Sequence, residues 1–199
     1  MTDSAALEIA PYLPEIFDSE AGGILQDLIF SSELSALMFM ATEAQMEVAK
    51  KYVVGVLEEC YQAGHLQVMG AANEGEFYGY ALIFGHPKAS LIRYCHKIYV
   101  HEQYRGHGIG SQMLEALLSQ PYEMGLLCSS ELVPFYEAAG MVNKGDFFAP
   151  DSSDFDRTRG MYAGLCVMSS KDASEGLPVF MLNNSDVQNI INAVVACKD

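Results

Sequence analysis

Tryptophan is absent from this 199-residue chain and basic residues are scarce, with 11 Lys and Arg against 26 Asp and Glu and a net charge of −15. A protein whose main partner is nucleic acid needs surplus cations to neutralise phosphates, so that class is set aside. The five cysteines (Cys60, Cys95, Cys128, Cys166 and Cys197) are scattered. No pair has the Cys-x-x-Cys spacing of a zinc or redox site, so neither a metal nor a disulfide framework is expected. The opening Met-Thr-Asp-Ser lacks the basic and apolar regions of a signal peptide. The greasiest run, Leu28 to Ala41, is short and broken by Ser31, Ser32 and Glu33, so no membrane span is expected. A reducing cytoplasm is the expected address.

Half of the residues are hydrophobic and 19% are charged, which supports one folded domain with a sizeable core. Apolar spacing predicts a helix over 23–40 and a clearer one over 43–63, stopped by Gly64. A short strand is expected at 6–9. Three runs, 65–72, 76–84 and 90–100, read as an antiparallel meander. In the third, strict alternation would put Ile92, Tyr94, His96, Ile98 and Val100 on one face, with Arg93, Cys95, Lys97 and Tyr99 on the other.

Downstream, a helix over 108–118 and a strand over 124–128 are expected, then a helix capped by Ser130 and running to Ala139. Strands over 141–148 and 160–169 follow, joined by an acidic loop at 151–156. Residues 171–176 read as a linker, and the tail as a strand, 177–182, and an amphipathic helix. The fold class is α/β (α+β), a mixed, mostly antiparallel sheet flanked by helices. Residues 1–170 form the main domain, and 171–199 are a strand–helix extension packed on it, which leaves room for a homodimer.

The most informative segment is a strand running into Arg105-Gly-His-Gly-Ile-Gly110-Ser111, with a helix leaving it. Glycines let the backbone turn tightly and gather N–H groups beside the positive end of a helix dipole, which makes an anion cradle. A Walker loop needs Gly-Lys-Ser/Thr, and no Lys follows Gly108 or Gly110. The dinucleotide fingerprint fails because its third glycine arrives one residue early, at Gly110.

Arg/Gln-x-x-Gly-x-Gly/Ala after such a strand, followed by Leu132-Val-Pro-Phe-Tyr-Glu-Ala-Ala-Gly-Met141, resembles the GNAT superfamily of N-acetyltransferases. The resemblance spans about residues 66–169. It implies acetyl-coenzyme A as cosubstrate and an amine acceptor, attacked directly. The thioester and pantetheine would lie along Ile98, Tyr99 and Val100, with the Ile98 amide toward the acetyl group. The pyrophosphate would rest on Arg105, Gly106, His107, Gly108, Ile109, Gly110 and Ser111.

Tyr136 matches the family's proton donor to the departing thiolate, a task suited to a phenol that stays protonated at neutral pH. His96 is the candidate base, since imidazole can accept a proton near pH 7. It occupies the position of a catalytic His in the arylalkylamine N-acetyltransferase branch, whose second His is replaced here by Tyr94. Ser129 stands where the family often has a cofactor-contacting Asn. The acidic composition points toward a small cationic acceptor, with Glu20, Asp27, Glu33, Asp151, Asp154 and Asp156 as candidate carboxylates. A protein N-terminus or lysine is the alternative acceptor. A non-catalytic acyl-coenzyme A sensor or interaction module is the alternative of another class.

Overall fold

The computed structural model describes residues 9–31, 34–73, 75–85, 92–171 and 177–197. The expected strand at 6–9 (apart from Ile9), Glu33, the turn at 86–88 and the linker at 172–176 lie outside them. The first expected helix is two: α1 (Leu13–Ser31) and α2 (Ser35–Met40). Helix α1 starts ten residues before the apolar stripe suggested, because Pro14 sits within its first turn, where a missing N–H costs nothing. Helix α3 (Glu43–Gln62) opens with a capping box, Thr42 and Gln45 each satisfying the other's backbone N–H. It presents Ala49, Val53 and Leu57 to the core.

Strands β1 (Leu66–Asn73), β2 (Glu76–Phe84) and β3 (Ile92–Val100) form the antiparallel meander. Helix α4 (Ile109–Leu118) crosses to β4 (Glu123–Cys128), which pairs parallel with β3. Then come α5 (Val133–Ala138), β5 (Val142–Asp146), β6 (Cys166–Ser169) and α6 (Asn184–Ala196). The six strands run in the order β1-β2-β3-β4-β6-β5, with β3–β4 the parallel pair. This is the mixed, mostly antiparallel α/β sheet that the pattern predicts.

Two apolar clusters cover the two faces. Helices α1, α3 and α6 pack over one, burying Ile16, Leu28, Val53, Leu57, Tyr94 and Ile190. Helix α4 packs over the other with Met113, Leu114 and Leu117, against Cys95, Met124 and Met168. The tail helix is part of this core: Val187, Ile190 and Val194 are buried, and Tyr52 of α3 donates to Asp186 at 2.9 Å. Among the described residues no helix is long and apolar enough to cross a membrane.

Several expected elements differ. No strand forms at 177–182: Pro178 has no N–H to donate, and Val179 N–H bonds Leu177 O within the segment. The strand expected over 160–169 begins only at Cys166, because 160–165 is a chain of turns with Gly164 at φ +81°. The strand over 141–148 is likewise shorter. Ser130 does not cap α5; residues 130–132 form a 3-10 turn that leads into it without a side-chain cap.

The largest correction concerns β3. Leu82 faces Lys97, yet the next β2 residue, Ile83, faces Cys95, so His96 is the extra residue of a β-bulge. One inserted residue reverses the alternation beyond it. Ile98 and Val100 therefore share the α4 face with Cys95, while His96, Lys97 and Tyr99 share the α1 face with Tyr94.

Candidate active site

The β3–β4 ladder ends at Cys95 with Leu126, although both strands continue, to Val100 and Cys128. The sheet thus opens into a mouth at its centre. His101 N–H donates to Tyr78 O (2.9 Å), so alternation along β3 turns the Ile98 and Val100 N–H groups the other way, into the mouth. The bulge matters here: it brings those amides, and their side chains toward α4, to the level where β4 no longer pairs.

Beside the mouth lies the glycine loop. Gly106 (φ +79°) and Gly108 (φ +77°) hold conformations that side chains disfavour, and a Cβ added at either would point into open space. Gly108 starts α4 with no side-chain cap, which leaves the first-turn amides open to an anion. A hollow of about 300 Å³ runs from Val100 past Gly106, Gly108 and Ser111 to Phe135. Open glycines, free amides and a helix N-terminus suit a pyrophosphate. The Arg105 side chain folds back, Nε donating to Val100 O (3.0 Å) with its guanidinium over the Tyr99 ring. His107 is exposed and its Nδ1 lies 3.2 Å from Tyr104 O. Ser129 precedes the turn into α5 and makes no capping bond with its side chain.

Tyr136 of α5 leans onto the α4-side cluster, near Cys95 and Cys128 at the edge of the mouth. Burial, with the two thiols adding to it, pushes its phenol up to about 12. It is therefore a proton-bearing group at neutral pH. Across the sheet, His96 is tightly held between Phe84 and Phe180. Its Nε2 lies 2.9 Å from Oε1 of Glu20, a carboxylate on α1 whose side chain is only 4% exposed. With Glu20 ionised, Nε2 carries the proton and Nδ1 faces the Tyr94 hydroxyl at 3.4 Å.

The other Glu20 oxygen, Oε2, pairs with Lys97 Nζ at 2.8 Å. Consecutive strand residues normally point to opposite faces; only the bulge lets one carboxylate hold both His96 and Lys97. Burial pulls the Glu20 carboxyl upward, but the hydrogen bond and charge of His96, joined by Lys97, outweigh it and hold it below its usual value. Asp27, two turns further along the same face of α1, is raised by burial. The sequence reading named Glu20 only as one of several carboxylates; its pairing with His96 and Lys97 carries no sequence signal.

The fold class is that of acetyltransferases: a protein from Corynebacterium glutamicum described as histone acetyltransferase HPA2 and related acetyltransferase aligns at TM-score 0.50 and 19% identity, covering 84% of this chain and 94% of that one. A mutant spermidine N-acetyltransferase from Vibrio cholerae aligns at TM-score 0.46 and 12% identity, over 60% and 73% of the two chains. No curated protein matches the chain. Residues 64–141 match the family model described as an acetyltransferase (GNAT) domain. That segment, under half of the chain, is similar to the GNAT acetyltransferase domain, a family whose members take acetyl-coenzyme A as cosubstrate.

Proposed function

We propose that this protein is an N-acetyltransferase that moves the acetyl group of acetyl-coenzyme A directly to a primary amine. The observation that carries the reading is the mouth between β3 and β4, with two unpaired amides aimed into it beside an open anion cradle. The Ile98 N–H polarises the thioester carbonyl, and the Val100 N–H holds the pantetheine arm, along Tyr99. Backbone N–H groups from Arg105 to Ser111, including those of Gly106, His107, Gly108, Ile109 and Gly110, bind the pyrophosphate. Ser129 is a lesser contact. Acetyl-coenzyme A supplies the activated acyl group; this chain orients it and manages the protons.

Tyr136 stands on the α4 face as a hydrogen-bond donor to the sulfur as it gains charge. A phenol raised to about 12 is suited to holding its proton until that moment. His96 stands on the α1 face as the base, acting through Nδ1, whose contact with Tyr94 is long, while Glu20 fixes the tautomer through Nε2. Donor and acceptor of protons thus lie on opposite faces of one sheet.

The test is calorimetric titration with acetyl-coenzyme A, followed by thiol release with a panel of amines. Saturable binding together with amine-dependent release is the expected result. Binding without release from any amine, including peptide N-termini and lysines, would replace the reading with that of an acyl-coenzyme A sensor.

A further inference from the structure

Three cysteines that lie far apart in the chain meet on the α4 face: Cys95 of β3, Cys128 of β4 and Cys166 of β6. Spacing along the chain carries no hint of this, because each sits on a different strand. Cys128 and Cys166 stand directly opposite each other in the antiparallel β4–β6 ladder, so their side chains leave the sheet together. Opposed Cα atoms in such a ladder lie about 4.5 to 5.5 Å apart, within the roughly 4.4–6.8 Å that a disulfide spans. Both thiols are free. Cys95 is engaged differently, its Sγ–H donating to Lys97 O at 3.7 Å.

The pair also borders the mouth. Cys128 ends β4 and lies beyond Leu126, the last β4 residue paired with β3. Cys166 closes one side of it, and the other side faces the opening. Tyr136, the proposed donor to the coenzyme A sulfur, has Cys95 and Cys128 near enough to add to the effect of burial on its phenol. Cys128 thus stands where the cofactor's sulfur would arrive. Neither residue is open to bulk solvent, with exposures of 5% for Cys128 and 8% for Cys166. Burial, with Cys166 beside it, pushes the Cys128 thiol up. Such a thiol reacts slowly with a disulfide met by collision and needs one held in place.

We propose that Cys128 and Cys166 form a thiol–disulfide exchange site for coenzyme A disulfide, which the glycine cradle delivers through the mouth. The proposal rests on the placing of coenzyme A in that mouth and adds a second reaction there. In the first step the Cys128 sulfur bonds to one sulfur of the disulfide as its S–S bond breaks. The proton of Cys128 ends on the coenzyme A that departs. In the second step the Cys166 sulfur attacks Cys128 in the mixed disulfide and releases the other coenzyme A, which takes the Cys166 proton. The two protein thiols are oxidised to one cross-strand disulfide, and coenzyme A disulfide is reduced to two thiols.

The test incubates the reduced, full-length protein with coenzyme A disulfide or with glutathione disulfide, followed by intact mass spectrometry and peptide mapping. Coenzyme A disulfide should join Cys128 to Cys166 at least about tenfold faster than glutathione disulfide does. Excess acetyl-coenzyme A, filling the mouth, should protect both thiols. Cys166→Ser should accumulate coenzyme A on Cys128, and Cys128→Ser should give neither the adduct nor the disulfide. Mapping of the wild type decides the matter even if a variant fails to fold. Labelling of the half-buried Cys60 or Cys197 while Cys128 and Cys166 stay reduced, or equal rates with the two disulfides, overturns the proposal. Calorimetric titration of the same sample with acetyl-coenzyme A keeps the two readings apart. If acetyl-coenzyme A binds and the pair stays reduced, the proposal alone falls. If acetyl-coenzyme A does not bind, the placing of the cofactor falls, and the proposal with it.

Discussion

The hollow on the α4 side of the mouth is made mostly of backbone: Gly106, Gly108 and Gly110 expose their amides around the uncapped start of a helix. A larger cavity, of about 650 Å³ beside the β5–β6 connection, is made of side chains, with three phenylalanines, Val167 and Met181 drawn from segments far apart in the chain. Recognition by backbone needs little more than glycines and a helix start, so a short contiguous motif can encode it. Recognition by side chains is free to change residue by residue, and with it the molecule accepted. In the sheet itself, the bulge at His96 sets which groups face which side.

The hardest blow to the backbone side is Gly108→Glu. A side chain in a left-handed conformation costs about 1–2 kcal/mol, and its carboxylate would stand where the proposed function puts the pyrophosphate. Acetyl-coenzyme A affinity should fall by about a hundredfold by calorimetry, with an unchanged circular dichroism spectrum. Undiminished affinity would detach the loop from the cofactor.

Tyr136→Phe should come next, lowering kcat by about a hundredfold while acetyl-coenzyme A binding barely moves. If kcat holds, the phenol has no part in the chemistry and merely packs α5 against the sheet.

On the other face, Glu20→Gln breaks a buried pairing with His96 and Lys97 and should cost about 3 kcal/mol of stability in denaturant titration. Acetyl-coenzyme A affinity should weaken by several-fold as well, because the bulge that aims Ile98 and Val100 loses its clamp. Leu25→Ala, a core cut on the same helix, should destabilise without that loss of affinity. Equal behaviour of the two variants would reduce Glu20 to a packing role.

The smallest effect is in pH. The Glu20 carboxyl is held below its unfolded value of 4.5, so its stabilisation is complete above that pH and drains away as pH falls through the lower folded value. Asp27 works the other way: raised by burial above 3.8, it relieves strain as it protonates. Burial is the largest cause of the Asp27 shift and the Glu20 charge a smaller one, so comparing wild type with Glu20→Gln removes most of the Asp27 contribution. The gap between their melting temperatures should narrow as pH drops below 4.5; a constant gap would mean that no depressed carboxyl is involved.

Much of this was legible in the residues. The meander, the glycine loop, α4 and the Phe135-Tyr136 turn of helix follow from local spacing and punctuation, and the structure has them within a few residues of the expected bounds. Alternation read along β3 failed after Cys95, because a bulge leaves no mark in the sequence of the strand that carries it. The tail strand failed for a similar reason: 177–182 has the composition of a strand, but Pro178 and a local turn spend the donors that a ladder would use. Acidic composition pointed to a cationic acceptor, yet net charge does not say which carboxylates are already paired. Arg159 and Lys97 answer that only in three dimensions.

By itself, then, the sequence determined the α/β architecture and the glycine loop that leads into α4, since both depend on contiguous residues whose backbone preferences act within one or two turns of chain. Tertiary structure alone decided the phase of β3, the capture of His96 and Lys97 by Glu20, and the lining of the larger cavity. Each of these joins groups many residues apart, in one case 76, and such contacts exist only once packing has brought the helices onto the sheet.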